Sequence, residues 1–379
     1  MKLLRLVKAA CCLALDLAAL AYARLSGLPR DTWLISERGY DARDNGYCFF
    51  RYLRRNHPDI RAVYVITRDS PDLDRIRALG GWTRFGSFAH RALMMSARVL
   101  ISTHDCGYTP DMVVYHHLKK RGLFRPRGRT VLLQHGVLHR PIQWYSRGEC
   151  APDVFVVSTE DEFRLVTEQL GQPESAVRLT GLPRFDTLDG DKAEKLVLVM
   201  PTWRKYLARL APDAFAQSDY SRAFASLLGD ERLVRLLDKN GYHLVFYPHA
   251  EMQKFYAPET RGSVRVASMA TDDVQGLLNR CQILVTDYSS VFYDAAYMGK
   301  PVVFYQFDRA RADAGHYPLG RVDYPAFGEV CLTEDEVVNA LARAAALPSA
   351  RESGRKGPFR YRDTHNCDRV FQAILETLG

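Results

Sequence analysis

The chain has 379 residues, 47% hydrophobic and 25% charged. That balance excludes a disordered or fibrous protein and suits a globular one with core enough for two domains. A formal net charge of +8 favours anionic partners, but no long Lys/Arg run, zinc-finger spacing or RNA-binding signature accompanies it, so nucleic acid is not expected.

The N-terminal stretch MKLLRLVKAACCLALDLAALAYARLSG sets four basic residues around an apolar run from Ala9 to Ala23, interrupted by Asp16. The run is shorter than the roughly 20 residues that span a bilayer. No clear small-residue cleavage site follows, which argues against a signal peptide. The pattern predicts an amphipathic helix over residues 1–28, lying in a membrane interface with Lys2, Arg5 and Lys8 toward anionic headgroups. The alternative is a helix packed on the protein's own body. Eight cysteines without a CxxC pair read as reduced, mostly buried thiols of a cytosolic protein.

Beyond residue 30, short apolar or β-branched runs alternate with helical patterns. TWLISE, AVYVIT, RVLIST, TVLLQH, VFVVST and AVRLTG form the first series, with helices in DNGYCFFRYLRRN, SFAHRALMMSA and DEFRLVTEQLG. The second begins near residue 195 with KLVLVMPT, YHLVFYPH, VRVAS, ILVTD, PVVFY and EVCLT. Its helices are expected near 222–239, 272–281, 289–299 and 334–347, before a final helix NCDRVFQAILETLG. Such alternation implies parallel sheets covered on both faces, hence an α/β protein of two doubly wound domains facing a cleft. The charged stretch 186–195 is the natural linker, giving a first domain over 29–187 and a second over 188–379 that includes the final helix.

No P-loop, GxGxxG, GxSxG or HExxH motif is present, which weakens NTP hydrolysis, nicotinamide, serine hydrolase and zinc peptidase chemistry. The remaining candidates lie at strand ends. His135, in QHGVLHR, ends the run TVLLQ, and Gly136 allows close backbone approach. A neutral imidazole there suits a general base. His249, in YPHA, ends the run HLVFY after Tyr247 and Pro248, and two strand-end histidines from two domains could meet across a cleft. Arg184 in GLPRFD and Arg204 in PTWRK each follow a strand and suit a bidentate phosphate clamp or a solvated loop. Thr202 offers a phosphate its hydroxyl or backbone N–H. In TDYSSVFYDAAYMGKPVVFY, Ser289 or Ser290 is expected to cap a helix stopped by Gly299, with Asp294 on the same helix face. Phosphate held by the serines and ribose by Asp294 is one reading; a well-capped helix with nothing bound is the other. Asp287 organises the turn.

These blocks together resemble the CDP-glycerol glycerophosphotransferase family of teichoic acid and capsule synthesis. TDYSS with its trailing Asp is the most specific, and ISERGYDARDNGYCFFRYL, QHG, GLPRFD, PTWR and DDVQGLL occur with it in family order over roughly residues 34–310. The resemblance implies a GT-B-like fold of two Rossmann-type domains, the first for acceptor and the second for donor. It further implies a peripheral protein at the cytoplasmic face of the membrane, acting on polyprenyl-linked acceptors and releasing CMP. By the same similarity His135 and His249 match catalytic histidines. Gly136, Val137, Leu138, His139, Arg184, Pro201, Thr202, Tyr247, Pro248, Ser289, Ser290 and Asp294 fall at or beside the family's CDP-glycerol contacts. Where the family commonly reads Thr-Pro-Leu-Lys after HG, this chain has Val137 to Arg140, and Tyr247–Pro248 replaces a basic residue before the second histidine. The donor polyol, glycerol or ribitol, therefore stays open. No acidic cluster suits Mg²⁺, so neither metal nor cofactor is expected. A GT-B glycosyltransferase using a nucleotide sugar and a non-catalytic nucleotide-binding relative are the alternatives.

Overall fold

A computed structural model describes residues 2–312, 322–346 and 357–379, with side chains from residue 7 onward. It divides into two compact units, Met1–Thr187 with Pro358–Gly379, and Leu188–Gly357.

The first unit is built on seven strands: β1 (Trp33–Ser36), β2 (Ala62–Ile66), β3 (Trp82–Arg84), β4 (Val99–Ser102), β5 (Arg129–Leu132), β6 (Val154–Val157) and β7 (Val177–Leu179). They pair in parallel in the order β3-β2-β1-β4-β5-β6-β7. β1, β2, β4 and β6 are wholly buried, as expected of strands covered on both faces. The strand order reverses between β1 and β4, the place where open α/β sheets gather ligands at strand C-termini. The six runs read from sequence are all strands. The additional β3 is a three-residue edge strand with no apolar run to reveal it.

Helices α1 (Lys2–Leu25), α2 (Asn45–Asn56), α3 (Leu73–Leu79), α4 (Phe88–Ser96) and α5 (Met112–Lys120) belong to this unit. The N-terminal helix is not a free-standing segment: it packs on α4 and α5. Cys12, Asp16, Ala19 and Ala23, spaced by four, three and four, form its buried face. Asp16, which interrupts the apolar run, is the anchor; it accepts from Arg91 at 2.7 Å and from the Tyr115 hydroxyl at 2.6 Å. Lys8 pairs with Asp111 at 2.5 Å. The opposite face leaves Val7, Leu17 and Leu25 exposed. The side chains of Lys2 and Arg5 lie outside the described residues. No helix among the described residues is long and apolar enough to cross a membrane.

The C-terminal helix Asn366–Glu376 also joins the first unit rather than the second. Its backbone N–H groups at Asn366 and Cys367 each donate to Asp186 at 2.8 Å, a carboxylate at a helix N-terminus. Val370, Phe371 and Ile374 are buried, and the Phe371 ring lies 5.7 Å from that of Trp33. Gly181 (φ 81°) permits this docking, since a Cβ there would collide with the Asn366 side chain.

The second unit repeats the plan with β8 (Leu196–Val199), β9 (His243–Phe246), β10 (Thr260–Arg261), β11 (Val264–Val266), β12 (Ile283–Thr286), β13 (Val302–Tyr305) and β14 (Gly328–Cys331). Their order is β10-β11-β9-β8-β12-β13-β14, parallel except for β10 against β11. All six predicted runs are strands, and the exposed two-residue edge strand β10 was not foreseen. The segment near 222–239 is two helices, Asp219–Gly229 and Glu231–Asn240, because Asp230 ends one and caps the next. The helix expected to 347 is described to Ala346. The order reverses between β8 and β12, so Thr202, His249 and Asp287 all follow strands near that point.

Candidate active site

In the first unit the loops after β1, β4 and β5 converge on His135. Its Nδ1 lies 2.5 Å from Asp44 Oδ2. Arg184 donates to the other Asp44 oxygen at 2.8 Å and to the His135 carbonyl at 2.6 Å. Asn45 ties the loops together, donating to the Gln134 carbonyl and accepting the Arg184 backbone N–H, both at 2.9 Å. Burial works to raise the Asp44 carboxyl, yet His135 and Arg184 outweigh it and hold the group well below the usual carboxylate range. An ionised carboxylate can only accept, so His135 Nδ1 carries a proton and, in the neutral ring, Nε2 keeps its lone pair. That ring is 61% exposed, and Nε2 makes no hydrogen bond among the described residues. The arrangement can take a proton from an approaching hydroxyl. The His104 ring lies 5.2 Å away; burial, then His135 and Arg38, push it down to about 3, so it stays neutral.

The backbone that presents His135 is held from both sides. Gln134, 1% exposed, adopts φ 65°, a left-handed conformation uncommon outside glycine and kept where the surroundings over-determine it. Glu162 accepts the Leu138 N–H at 2.7 Å and the Ser158 N–H at 2.6 Å, and burial pushes it up to about 8. Val137 and Leu138 are buried, so this loop turns apolar side chains into the core. His139, pushed down to about 4 by burial and Arg140, is neutral.

Asp44 sits at the N-cap position of α2 without capping it. Glu37 serves instead, accepting from the backbone N–H groups of Arg43 (3.2 Å), Asp44 (3.0 Å) and Tyr47 (2.8 Å). The substitution frees the Asp44 carboxylate for His135.

In the second unit, His249 Nδ1 accepts the Glu251 N–H at 3.2 Å and so caps the turn Ala250–Phe255. In the neutral ring the proton is then on Nε2, which becomes a donor. The Trp203 ring stacks on it at 5.8 Å and 19°. Arg204, read as either a phosphate clamp or a solvated loop arginine, is instead 1% exposed and bound internally. It donates to Asp287 at 2.8 Å, to both Asp308 oxygens at 2.7 and 2.9 Å, and to the Thr202 carbonyl at 3.0 Å. The Thr202 backbone N–H, offered to phosphate by the sequence reading, donates to Asp287 at 2.9 Å. Pro201, Tyr247 and Pro248 are buried around these strand ends. Ser290 stands at the N-cap position of the helix Val291–Tyr297, as expected, without a side-chain capping hydrogen bond of its own; the Ser289 hydroxyl accepts the Val291 N–H at a long 3.5 Å. Gly299, at φ 75°, follows that helix as expected. Asp294 is 1% exposed, turned into the protein.

Residues 22–376 match the family model of CDP-glycerol:poly(glycerophosphate) glycerophosphotransferases. The chain belongs to this family. Among curated relatives it is 29% identical over 364 residues to the minor teichoic acid biosynthesis protein GgaB of Bacillus subtilis (strain 168), covering 92% of this chain and 40% of GgaB. It is 27% identical over 170 residues to the teichoic acid ribitol-phosphate polymerase TarL of Staphylococcus aureus, covering 40% of this chain and 28% of TarL. The chain thus spans well under half the length of these relatives. Among solved structures the wall teichoic acid polymerase TagF matches with a TM-score of 0.71 at 14% identity, covering 100% of this chain and 97% of that one. A TagF variant soaked with CDPG matches at 0.69. The likeness shows that the family member described here has the GT-B-like fold its sequence suggested.

Of the residues singled out, the structure brings His135 and Arg184 into one cluster and adds Asp44, Asn45 and His104, which the sequence reading passed over. Asp44 carried a signal: an acid in N-cap position with a second acid, Glu37, seven residues before it.

Proposed function

We propose that this protein transfers glycerol phosphate, or another polyol phosphate, from a CDP-activated donor to a hydroxyl of a membrane-linked teichoic-acid-like acceptor. The observation that carries the reading is His135, its Nδ1 fixed by Asp44 and its Nε2 open, in a chain of the glycerophosphotransferase family. His135 Nε2 takes the acceptor's proton as the hydroxyl oxygen attacks the donor β-phosphorus. The bond from that phosphorus to the bridging oxygen breaks, and CMP leaves with the electron pair. Such chemistry gains chiefly from positioning and electrostatics.

Donor contacts fall to the Ser289 and Ser290 hydroxyls, the Thr202 hydroxyl and the backbone around Gly136, with His249 Nε2–H assisting the phosphates. Arg184 positions Asp44 and His135. Asp294 holds the serine-bearing helix, which agrees with its burial. The site of action proposed is the cytoplasmic face of the membrane; the apolar outer face of α1 supports the membrane contact itself. TarL, whose name specifies ribitol phosphate, keeps CDP-ribitol beside CDP-glycerol as a donor.

The test is CMP release by purified protein in detergent with a lipid-linked acceptor, using CDP-glycerol, CDP-ribitol and a UDP-sugar in separate reactions. CMP from one CDP-polyol supports the proposal. UDP from the sugar with both CDP donors silent replaces it with glycosyl transfer.

A further inference from the structure

The first unit carries a second polar feature, at the opposite end of its sheet from His135. A cavity of about 960 Å³ opens where the chain enters β4, β5 and β6, beside the C-terminal half of α1. Its lining holds eight Arg or Lys side chains against one carboxylate, Asp153. That carboxylate is already engaged by Arg129 at 3.1 Å and by Thr130 at 2.8 and 2.9 Å. Lys119 is held by Asp105 at 3.0 Å. The other six, Arg24, Arg30, Arg98, Arg125, Arg127 and Arg147, make no side-chain hydrogen bond or ion pair among the described residues. Elsewhere the arginines of this chain commonly find carboxylates, as Arg43, Arg91, Arg265 and Arg369 do.

Six like charges around one basin repel one another unless an anion sits among them. Guanidinium forks suit phosphate oxygens. The rim supplies the second part of the ligand. Leu20, Met95 and Phe124 line the cavity, and Leu17, Leu25 and Leu123 beside it are 67%, 89% and 57% exposed. Tyr22 and Phe88, both exposed, pack edge to face at 5.5 Å on the same helix pair. Aromatic side chains of this kind favour the headgroup level of a bilayer. A phosphodiester polymer has no apolar part to cover these residues, whereas a phospholipid has both.

We propose that this cavity is a docking site for anionic phospholipid, with the arginines on headgroup phosphates and the outer face of α1 with Leu123 in the acyl boundary. The inference deepens the reading of the protein as membrane-associated by naming the site and its ligand class. Each basic residue near an anionic surface contributes roughly 1 kcal/mol, or about fivefold in partitioning.

The experiment is co-sedimentation of the full chain with phosphatidylglycerol/phosphatidylcholine vesicles and with pure phosphatidylcholine vesicles, near physiological salt. Arg125→Glu/Arg127→Glu removes two exposed, unpaired charges without touching the core. Arg55→Glu/Lys239→Glu makes the same change in net charge elsewhere. Wild type and the control bind the anionic vesicles, and Arg125→Glu/Arg127→Glu loses partitioning by about tenfold or more. Equal binding to both vesicle types, or a double variant bound like the control, overturns the proposal. So does soluble poly(glycerol phosphate) binding that the double variant loses while its vesicle binding persists, which would assign the cavity to polymer. CMP release with a water-soluble acceptor is expected to be unchanged in the double variant. If wild type releases none while vesicle binding follows the expected pattern, the transferase reading fails and the lipid site stands.

Discussion

Each unit sets an arginine against an aspartate beside its central strands, and the two pairs do opposite things. In the first, Arg184 holds one oxygen of Asp44 and leaves the other to His135, whose ring stands 61% exposed. In the second, Arg204 is closed between Asp287 and Asp308, with nothing presented to solvent. The first pair organises a reactive group; the second fixes the loops after β8, β12 and β13 to one another. An arginine after a strand thus says little until its carboxylate partners are known. The partners of Arg204 lie 83 and 104 residues away in sequence.

The contrast is broken most severely at Arg204. Arg204→Ala leaves two buried carboxylates without their cation, and the expected cost is about 3–5 kcal/mol in denaturant unfolding. Stability within about 1 kcal/mol of wild type would remove its scaffolding role. Asp44→Asn separates the two sites next. The amide no longer enforces the Nδ1–H tautomer of His135, so turnover is expected to fall on the order of 10²-fold or more with donor affinity retained. The sign of its pH dependence follows from the depressed carboxyl of Asp44. A carboxyl held below its unfolded value of about 3.9 stabilises the fold above that pH, and the contribution is lost as pH falls toward the folded value. The stability gap between wild type and Asp44→Asn should therefore be full at neutral pH and close in acid. A gap that widens in acid would contradict the assignment. The smallest effect is expected of Ser289→Ala/Ser290→Ala, about tenfold weaker CDP-glycerol binding by calorimetry, since each hydroxyl contributes roughly 0.5–1.5 kcal/mol. Unchanged affinity would move the donor phosphates elsewhere.

Much of this was legible in the chain. Twelve of the described strands announce themselves as apolar or β-branched runs, the ten central ones because burial on both faces demands it. The edge strands β3 and β10 escape because WTR and TR carry no such run. His135 was legible from its place after TVLLQ, whereas Asp44 was not, since one acid in the polar run DARDN looks like a helix cap. Only the structure shows that Glu37 caps α2 in its place. The final helix was assigned by chain order to the second unit, yet Asp186 and Trp33 hold it on the first. In α1 the same Asp16 that seemed to spoil an apolar run turns out to anchor it.

The central claim is that His135 acts on the proton and not on donor binding. His135→Ala, assayed for CMP release and titrated with CDP-glycerol in parallel, tests it directly. The expected result is turnover reduced by about 10²–10⁴-fold, with affinity within a few fold of wild type. Turnover near the wild-type rate would contradict the account.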